Sequence, residues 1–197
     1  MEPDDGAGRC PEIEASMGDV LAVVGLRPHR VAWLERIGAH RGFKVRSILP
    51  YELVRKAERF DIDGLLTRAR ANLAELAPAG IATYWDFPSS CLVPILAEEQ
   101  GLPTPGLRAA VCFEHKYWSR LLQREVAPDD TPRVAAVDVF EASADEAAPL
   151  PFPFWLKPVK SYAGHLGFRI ESADDYRHAL GALRDGIDRL GGPFQDV

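Results

Sequence analysis

The run VLAVVGL, residues 20–26, constrains the chain most. It is short, continuously apolar and rich in valine, which suits a strand covered on both faces. A strand buried on both sides belongs to a sheet with helices packed above and below it. The sequence supplies those helices at the right intervals. Pro28 is a good first-turn residue, Val31, Leu34 and Ile37 recur at helical spacing, and Gly42 is a stop signal. FKVRSIL, residues 43–49, reads as a second strand. A helix is expected over residues 65–76, with Leu66, Ala69, Leu73 and Leu76 on one face and Pro78 beyond it. GIATYW, residues 80–85, reads as a third strand, followed by a helix over residues 90–100 with Pro94 near its first turn and Gly101 at its end. Strands alternating with helices imply an α/β fold with a mostly parallel sheet and helical crossovers.

GLPTPG, residues 101–106, interrupts the pattern with paired prolines and glycines and marks a boundary. Residues 1–17 hold Gly, Pro and acids without periodicity and read as a mobile tail, with Met17 a candidate start. After the boundary a helical stretch is expected over residues 109–125. RVAAVDVF, residues 133–140, reads as a strand, and EASADEAAPLP, residues 141–151, as a polar loop. Strands are expected over 154–159 and 168–171. The last helix is the plainest element. Ser172 is a natural N-cap, and Asp174 and Asp175 place negative charge in the first turn. Tyr176, Ala179, Leu180, Leu183, Ile187 and Leu190 form one stripe, and Gly191, Gly192 and Pro193 are expected to stop it.

Composition excludes several classes. A net charge of −6 offers no basic surplus for neutralising nucleic-acid phosphates. No apolar stretch is long enough to cross a bilayer, so no membrane association is expected. The acidic start has no apolar signal core, which favours a cytoplasmic protein. Cys10, Cys91 and Cys112 make no metal or redox pattern, and Cys91 and Cys112 are expected to be buried thiols. HExxH, Cys-x-x-Cys and GxSxG motifs do not occur, and VVGLRPHR lacks the glycine spacing of a dinucleotide turn. Asp129 and Asp130 read as a solvated turn, and Asp174 and Asp175 as helix-start charges, rather than as metal sites. Asp86 follows the third strand, where ligands of open α/β sheets collect. It reads equally as a turn residue before a helix capped by Ser89 or Ser90.

The stretch FPFWLKPVKSYAGHLGFRI, residues 152–170, threads Lys157 into what reads as a buried strand. Burying an ammonium is costly unless an anion partners it. The loop KSYAGHLG, residues 160–167, carries Gly164 and Gly167, and backbone N–H groups in such a loop can cradle phosphate oxygens. From the residues alone two readings stand: a strand–lysine–loop unit for a polyphosphate, or a hairpin whose lysine reaches out to solvent.

The order of elements resembles the ATP-grasp superfamily, the fold of biotin carboxylase and carboxylate–amine ligases. There an α/β unit precedes a proline-rich link, matched by GLPTPG. A helix opening with a lysine follows, matched by EHKYWSRLLQ and Lys116. A Lys-Pro strand comes next, matched by FPFWLKPV and Lys157, and then a small-residue phosphate loop, matched by SYAGHLG. The resemblance spans about residues 20–190. It implies a Rossmann-like pre-ATP-grasp domain over 18–105 and an α+β ATP-grasp small subdomain over 106–197. It also implies ATP-phosphate contacts from Lys116, Lys157, Ser161, Tyr162, Ala163, Gly164, His165 and Gly167. Tyr162 and His165 stand where the family often has Gly or Ser, and His165 reads as an exposed loop residue. The implied activity is ATP-dependent activation of a small-molecule carboxylate as an acyl phosphate, which an amine then attacks. Magnesium and most of the acceptor site would come from a second, larger subdomain. The sequence ends at GGPFQDV, where that half is expected to begin, so the chain reads as a truncated portion or a piece of a split protein. A homo-oligomer formed through the uncovered face is a further expectation. The alternatives are a non-catalytic α/β nucleotide-binding or interaction module and a dinucleotide or nucleotide-sugar binder.

Overall fold

A computed structural model describes residues 19–57, 59–143 and 148–197. The tail expected over 1–17 lies outside the described residues, as does part of the polar loop. β1 (Asp19–Leu26) is the middle strand of a three-stranded parallel sheet, flanked by β2 (Phe43–Pro50) and β3 (Pro78–Thr83) in the order β2-β1-β3. The continuous apolar run has the consequence its composition implies. Ala22 and Val24 face one core, while Val23 and Leu26 face another on the opposite side. α1 (Pro28–Arg41) covers that second side through Val31 and Leu34. α2 (Ile62–Leu73) and α3 (Ser89–Glu99) supply the first, with Leu65, Leu66, Ala69, Leu73, Leu92 and Leu96 buried in it.

Local signals set the ends. Gly42 closes α1 in the left-handed region at φ 79°, and the Asp61 side chain starts α2 by accepting from the Gly64 N–H at 2.9 Å. That cap starts α2 earlier than the apolar spacing suggests. Pro94 sits inside α3 rather than near its start. β3 lies two residues upstream of its expected position, and Tyr84 and Trp85 leave the sheet as Thr83 Oγ1 donates to the Val24 carbonyl at 3.1 Å and accepts from the Trp85 N–H at 3.1 Å. Between β2 and α2 the chain makes a π-helical turn, Glu52–Lys56, with Val54 fully buried.

Near the end of β1 the pairing with β2 steps past Gly25, whose φ is +77°. A Cβ there would lie 2.5 Å from Trp85 Cδ1 and 2.8 Å from Val54 Cγ2. Gly25→Ala is therefore expected to cost about 2 kcal/mol, combining backbone strain with displacement of the half-buried Trp85 ring. Denaturant unfolding checks this, and a loss below about 0.5 kcal/mol would mean the turn relaxes freely.

The second half departs further from its sequence reading. The helix expected over 109–125 is two helices, α4 (Leu107–Glu114) and α5 (Lys116–Val126). His115 breaks them with extended angles, φ −81° and ψ 103°, and its Nδ1 accepts from the Trp118 N–H at 3.2 Å. The break is fixed from outside too, because the Lys116 N–H donates to the Val159 carbonyl at 2.9 Å. Residues 133–140 form no strand. Val139 is buried, but its carbonyl is taken by Arg184 Nε at 2.7 Å, so a side chain occupies the ladder position. β4 (Phe154–Leu156) and β5 (Phe168–Ile170) pair antiparallel and are shorter than expected, since Pro158 has no N–H to extend the ladder.

The final amphipathic helix starts as expected, with Ser172 Oγ accepting from the Asp175 N–H at 3.2 Å. Tyr176, Ala179, Leu180 and Leu183 bury its stripe against Leu156, Ile170 and Val139. The side chain of Leu190 lies outside the described set. The helix divides into α6 (Ala173–Gly186) and α7 (Asp188–Gln195), and α7 runs through Gly191, Gly192 and Pro193 instead of stopping there. Phe194 explains the continuation, for its ring packs edge-on against Phe87 at 5.4 Å in the sheet core. On α5, Trp118, Leu122 and Val126 recur every fourth residue and are exposed. No helix among the described residues is long and apolar enough to cross a membrane.

Candidate functional site

The candidate site lies where the β3 turn, the α4–α5 break and the loop between β4 and β5 meet. Three lysines approach it, and the structure sorts them differently from the sequence reading. Lys157 is exposed and lies just past the end of β4, not buried within a strand. Its ammonium stands 4.9 Å from the Trp155 ring centroid. Its stem runs close to Gly167, where a Cβ would lie 3.6 Å from Lys157 Cγ. Lys160 is the buried lysine, only 4% exposed. Its ammonium donates to Asp86 Oδ1 at 2.6 Å and ion-pairs with Glu114. The anion that partners a buried lysine in this stretch is thus a pair of the chain's own carboxylates. The burial pattern carried the signal: Leu156, Pro158 and Lys160 are buried, and Lys157 and Val159 are exposed. Period-two counting from Leu156 turns Lys160 inward and Lys157 outward.

Lys116 opens α5, and its ammonium donates to the Ser161 carbonyl at 2.6 Å. Burial pushes its pKa below the usual lysine value, and the nearby Lys157 charge pushes the same way against the pull of Asp86. Lys116 and Lys157 therefore sense each other across the mouth of the loop. Burial also raises the Asp86 carboxyl. The hydrogen bond from Lys160, the Phe87 N–H and the charges of Lys160 and Lys116 outweigh that and hold it below the ordinary range. Among the described residues neither Lys116 nor Lys157 has a carboxylate in ion-pair contact, whereas Lys160 has two.

The loop is anchored at both ends and open in the middle. Ser161 and Tyr162 are half-buried, with Tyr162 packed on the sheet core, and Leu166 packs on the second core. Ala163, Gly164 and His165 are exposed. Positive φ angles at Ala163 (52°), Gly164 (74°) and Leu166 (55°) fold it into two turns, closed by His165 N–H to the Tyr162 carbonyl and Gly167 N–H to the Gly164 carbonyl, each at 3.0 Å. The N–H groups of Ala163, Gly164 and Leu166 have no backbone acceptor among the described residues. Free N–H groups beside cations that lack a carboxylate in ion-pair contact fit a polyphosphate. No group of His, Cys, Asp or Glu among the described residues is arranged to hold a metal ion.

Cys91 is buried as expected, and burial pushes its thiol up to about 11, which makes it an inert core group. Cys112 is half-buried rather than buried, and Cys10 lies outside the described residues.

No protein-family model and no curated protein matches the chain. A solved structure does: the L-amino acid ligase from Bacillus licheniformis, with a TM-score of 0.64 over 86% of this chain and 43% of the ligase, at 17% identity. Over the matched part the fold is similar to that of this ligase. The expectation drawn from the order of elements therefore holds at the level of the fold. The likeness lies in the fold rather than in sequence, and the chain spans 43% of the ligase's length.

Proposed function

We propose that the chain is the ATP-binding portion of an ATP-grasp ligase that activates a carboxylate as an acyl phosphate for attack by an amine. In this reading residues 18–105 are the pre-ATP-grasp domain and 106–197 the small ATP-grasp subdomain, joined by the packing of α4 and Phe194 on the sheet core. Lys116, Lys157 and the loop from Ser161 through Tyr162, Ala163, Gly164 and His165 to Gly167 hold the phosphates. ATP supplies the transferable phosphoryl group. The lysines offset charge on it, and the loop N–H groups orient it, so positioning and electrostatics are the protein's contribution.

One observation carries the reading. Lys116 and Lys157 come from separate elements, converge on an open loop and lack carboxylate partners among the described residues, beside a lysine that has two. The dinucleotide alternative fits poorly, because the turn after β1 is filled. Trp85 Nε1 donates to the Gly25 carbonyl at 2.6 Å and the indole covers that glycine, so the glycine backbone is not the open cradle a dinucleotide turn presents.

A thermal-shift comparison of ATP with NAD tests the proposal. ATP at about ten times its dissociation constant stabilises the folded state by about 1.4 kcal/mol. For a chain of this size that raises Tm by about 4 °C. NAD is expected to leave Tm unchanged. Equal shifts from both, or none from ATP at millimolar concentration, would overturn the reading.

A further inference from the structure

A second cluster of cations sits at the carboxyl ends of the strands, apart from the three lysines. Arg27 follows β1 directly, and Arg55 lies in the π-helical turn after β2. β1 lies between β2 and β3, so the connection after β1 runs to one side of it and the connection after β2 crosses to the other, and the crevice beyond the carboxyl ends at such a switch is where open α/β sheets take ligands. The Arg27 guanidinium lies 4.0 Å from the Tyr51 ring centroid and 4.8 Å from that of Trp85. Arg55 lies 5.4 Å from Trp85 and 4.6 Å from Tyr162. Two guanidinium groups thus lie near one indole. The walls are fixed, since Trp85 Nε1 and Tyr84 Oη both donate to the Gly25 carbonyl, at 2.6 and 3.3 Å, and Tyr84 Oη accepts from the Arg27 N–H at 3.0 Å.

Both arginines are incompletely satisfied. Arg27 Nη2 donates to Tyr51 Oη at 2.5 Å, but Arg27 Nε and Arg55 Nη1 are buried without any hydrogen-bond partner. Among the described residues neither guanidinium has a carboxylate partner, though Arg70 and Lys160 elsewhere do. The first turn of α1, which begins at the next residue, contains no acidic side chain, so the helix terminus adds to the positive potential. Aromatic faces soften the cost of burying a guanidinium, but they accept nothing from an in-plane N–H. Buried, unpaired donors on two cations beside one indole call for an anion.

We infer that Arg27 and Arg55 form a binding site for the carboxylate of a small organic ligand whose apolar body lies against Tyr51, Trp85 and Tyr162. Aromatic walls favour a planar carboxylate with an organic body over an inorganic phosphate, which needs donors on several sides. The carboxylate held there is a spectator, because guanidinium pairing engages the oxygen lone pairs that an attack on phosphorus would use. The site stands whether or not nucleotide binds. Tyr162 belongs to the loop from Ser161 to Gly167, so a ligand seated against it touches that loop as well.

Calorimetric titration with benzoate, neutral benzamide and inorganic phosphate tests the assignment. Benzoate is expected to bind at least about tenfold more tightly than benzamide, the difference made by a charge-assisted contact. Arg27→Gln and Arg55→Gln are each expected to weaken benzoate by about tenfold or more, with Lys44→Met, on the exposed side of β2, leaving it unchanged. Equal binding of benzoate and benzamide, absence of benzoate binding, or tighter binding of phosphate than of benzoate would overturn the proposal. These comparisons use the unaltered protein and so decide the matter even if an arginine variant fails to fold. Unchanged benzoate affinity in folded variants would overturn it as well.

Discussion

Lys160→Met is expected to destabilise the protein by about 3 kcal/mol near neutral pH. The ammonium is packed near the rings of Phe87 and Phe194, at 5.7 and 6.0 Å from their centroids, and is held by Asp86 and Glu114. Methionine fills the space but leaves both carboxylates without their cation. The Glu114 side chain is only 16% exposed and suffers most, whereas Asp86 at 41% turns partly to water. That exposure places the loss at the lower end of the roughly 3–5 kcal/mol typical of broken buried pairs. The ion pair also ties the β3 turn and the end of α4 to the β4–β5 loop, so the variant should unfold with a broader transition. The pH dependence has a definite sign. The folded Asp86 carboxyl is held below its ordinary value, so its contribution is complete above about pH 4, the unfolded value, and is lost as pH falls through the folded one. Lys160→Met removes much of what lowers it, so the gap between the two proteins should narrow in acid. Chemical unfolding at several pH values measures this, and a gap that is absent, or constant down to pH 3, would show that the pair does not hold the fold together.

The sheet half was legible because its signals are local and redundant. The valine-rich run at residues 20–26 demanded cover on both faces, and Val23 and Val24 indeed face different cores. Gly42 and Ser172 cap helices by chemistry that needs no tertiary information. The second half was less legible because tertiary partners decide it. His115 breaks a good helical pattern since the Lys116 N–H finds the Val159 carbonyl, a partner 43 residues away. Residues 133–140 have strand composition, but Arg184 takes the Val139 carbonyl. The glycines and proline after α6 read as a stop, yet burial of Phe194 carries the helix through them. The resemblance singled out Lys116, Lys157 and the loop for the proposed site, but the burial expected of Lys157 falls on Lys160. Their difference is one of parity, and strands of three residues are too short to announce parity clearly. Arg27 and Arg55 carried no motif at all. Only the order β2-β1-β3 brings them to one indole.

The lysine pair yields the other large effect, on binding rather than stability. Lys157→Met and Lys116→Met are each expected to weaken ATP by about 1.5 kcal/mol, the scale of a charge-assisted hydrogen bond. Together they should remove about 3 kcal/mol, or a little over a hundredfold, less any coupling through the shared phosphates. Their effects on folding should differ. Lys157 is exposed, so its replacement should change stability by less than about 0.5 kcal/mol. Lys116→Met leaves the Ser161 carbonyl without its donor, which costs about 1 kcal/mol, partly offset by relief of repulsion from Lys157. Lys160→Met cannot serve as the control, because it disturbs the loop. Lys44→Met, on the exposed side of β2, can. Titration with pH separates charge from shape. Burial lowers the Lys116 pKa, so ATP affinity of the unaltered protein should fall, as pH rises, before an ordinary lysine would lose its proton, and that early fall should vanish in Lys116→Met. If both variants fold and bind ATP as the unaltered protein does, the loop and its lysines are a structural hairpin, and the phosphates bind elsewhere or not at all.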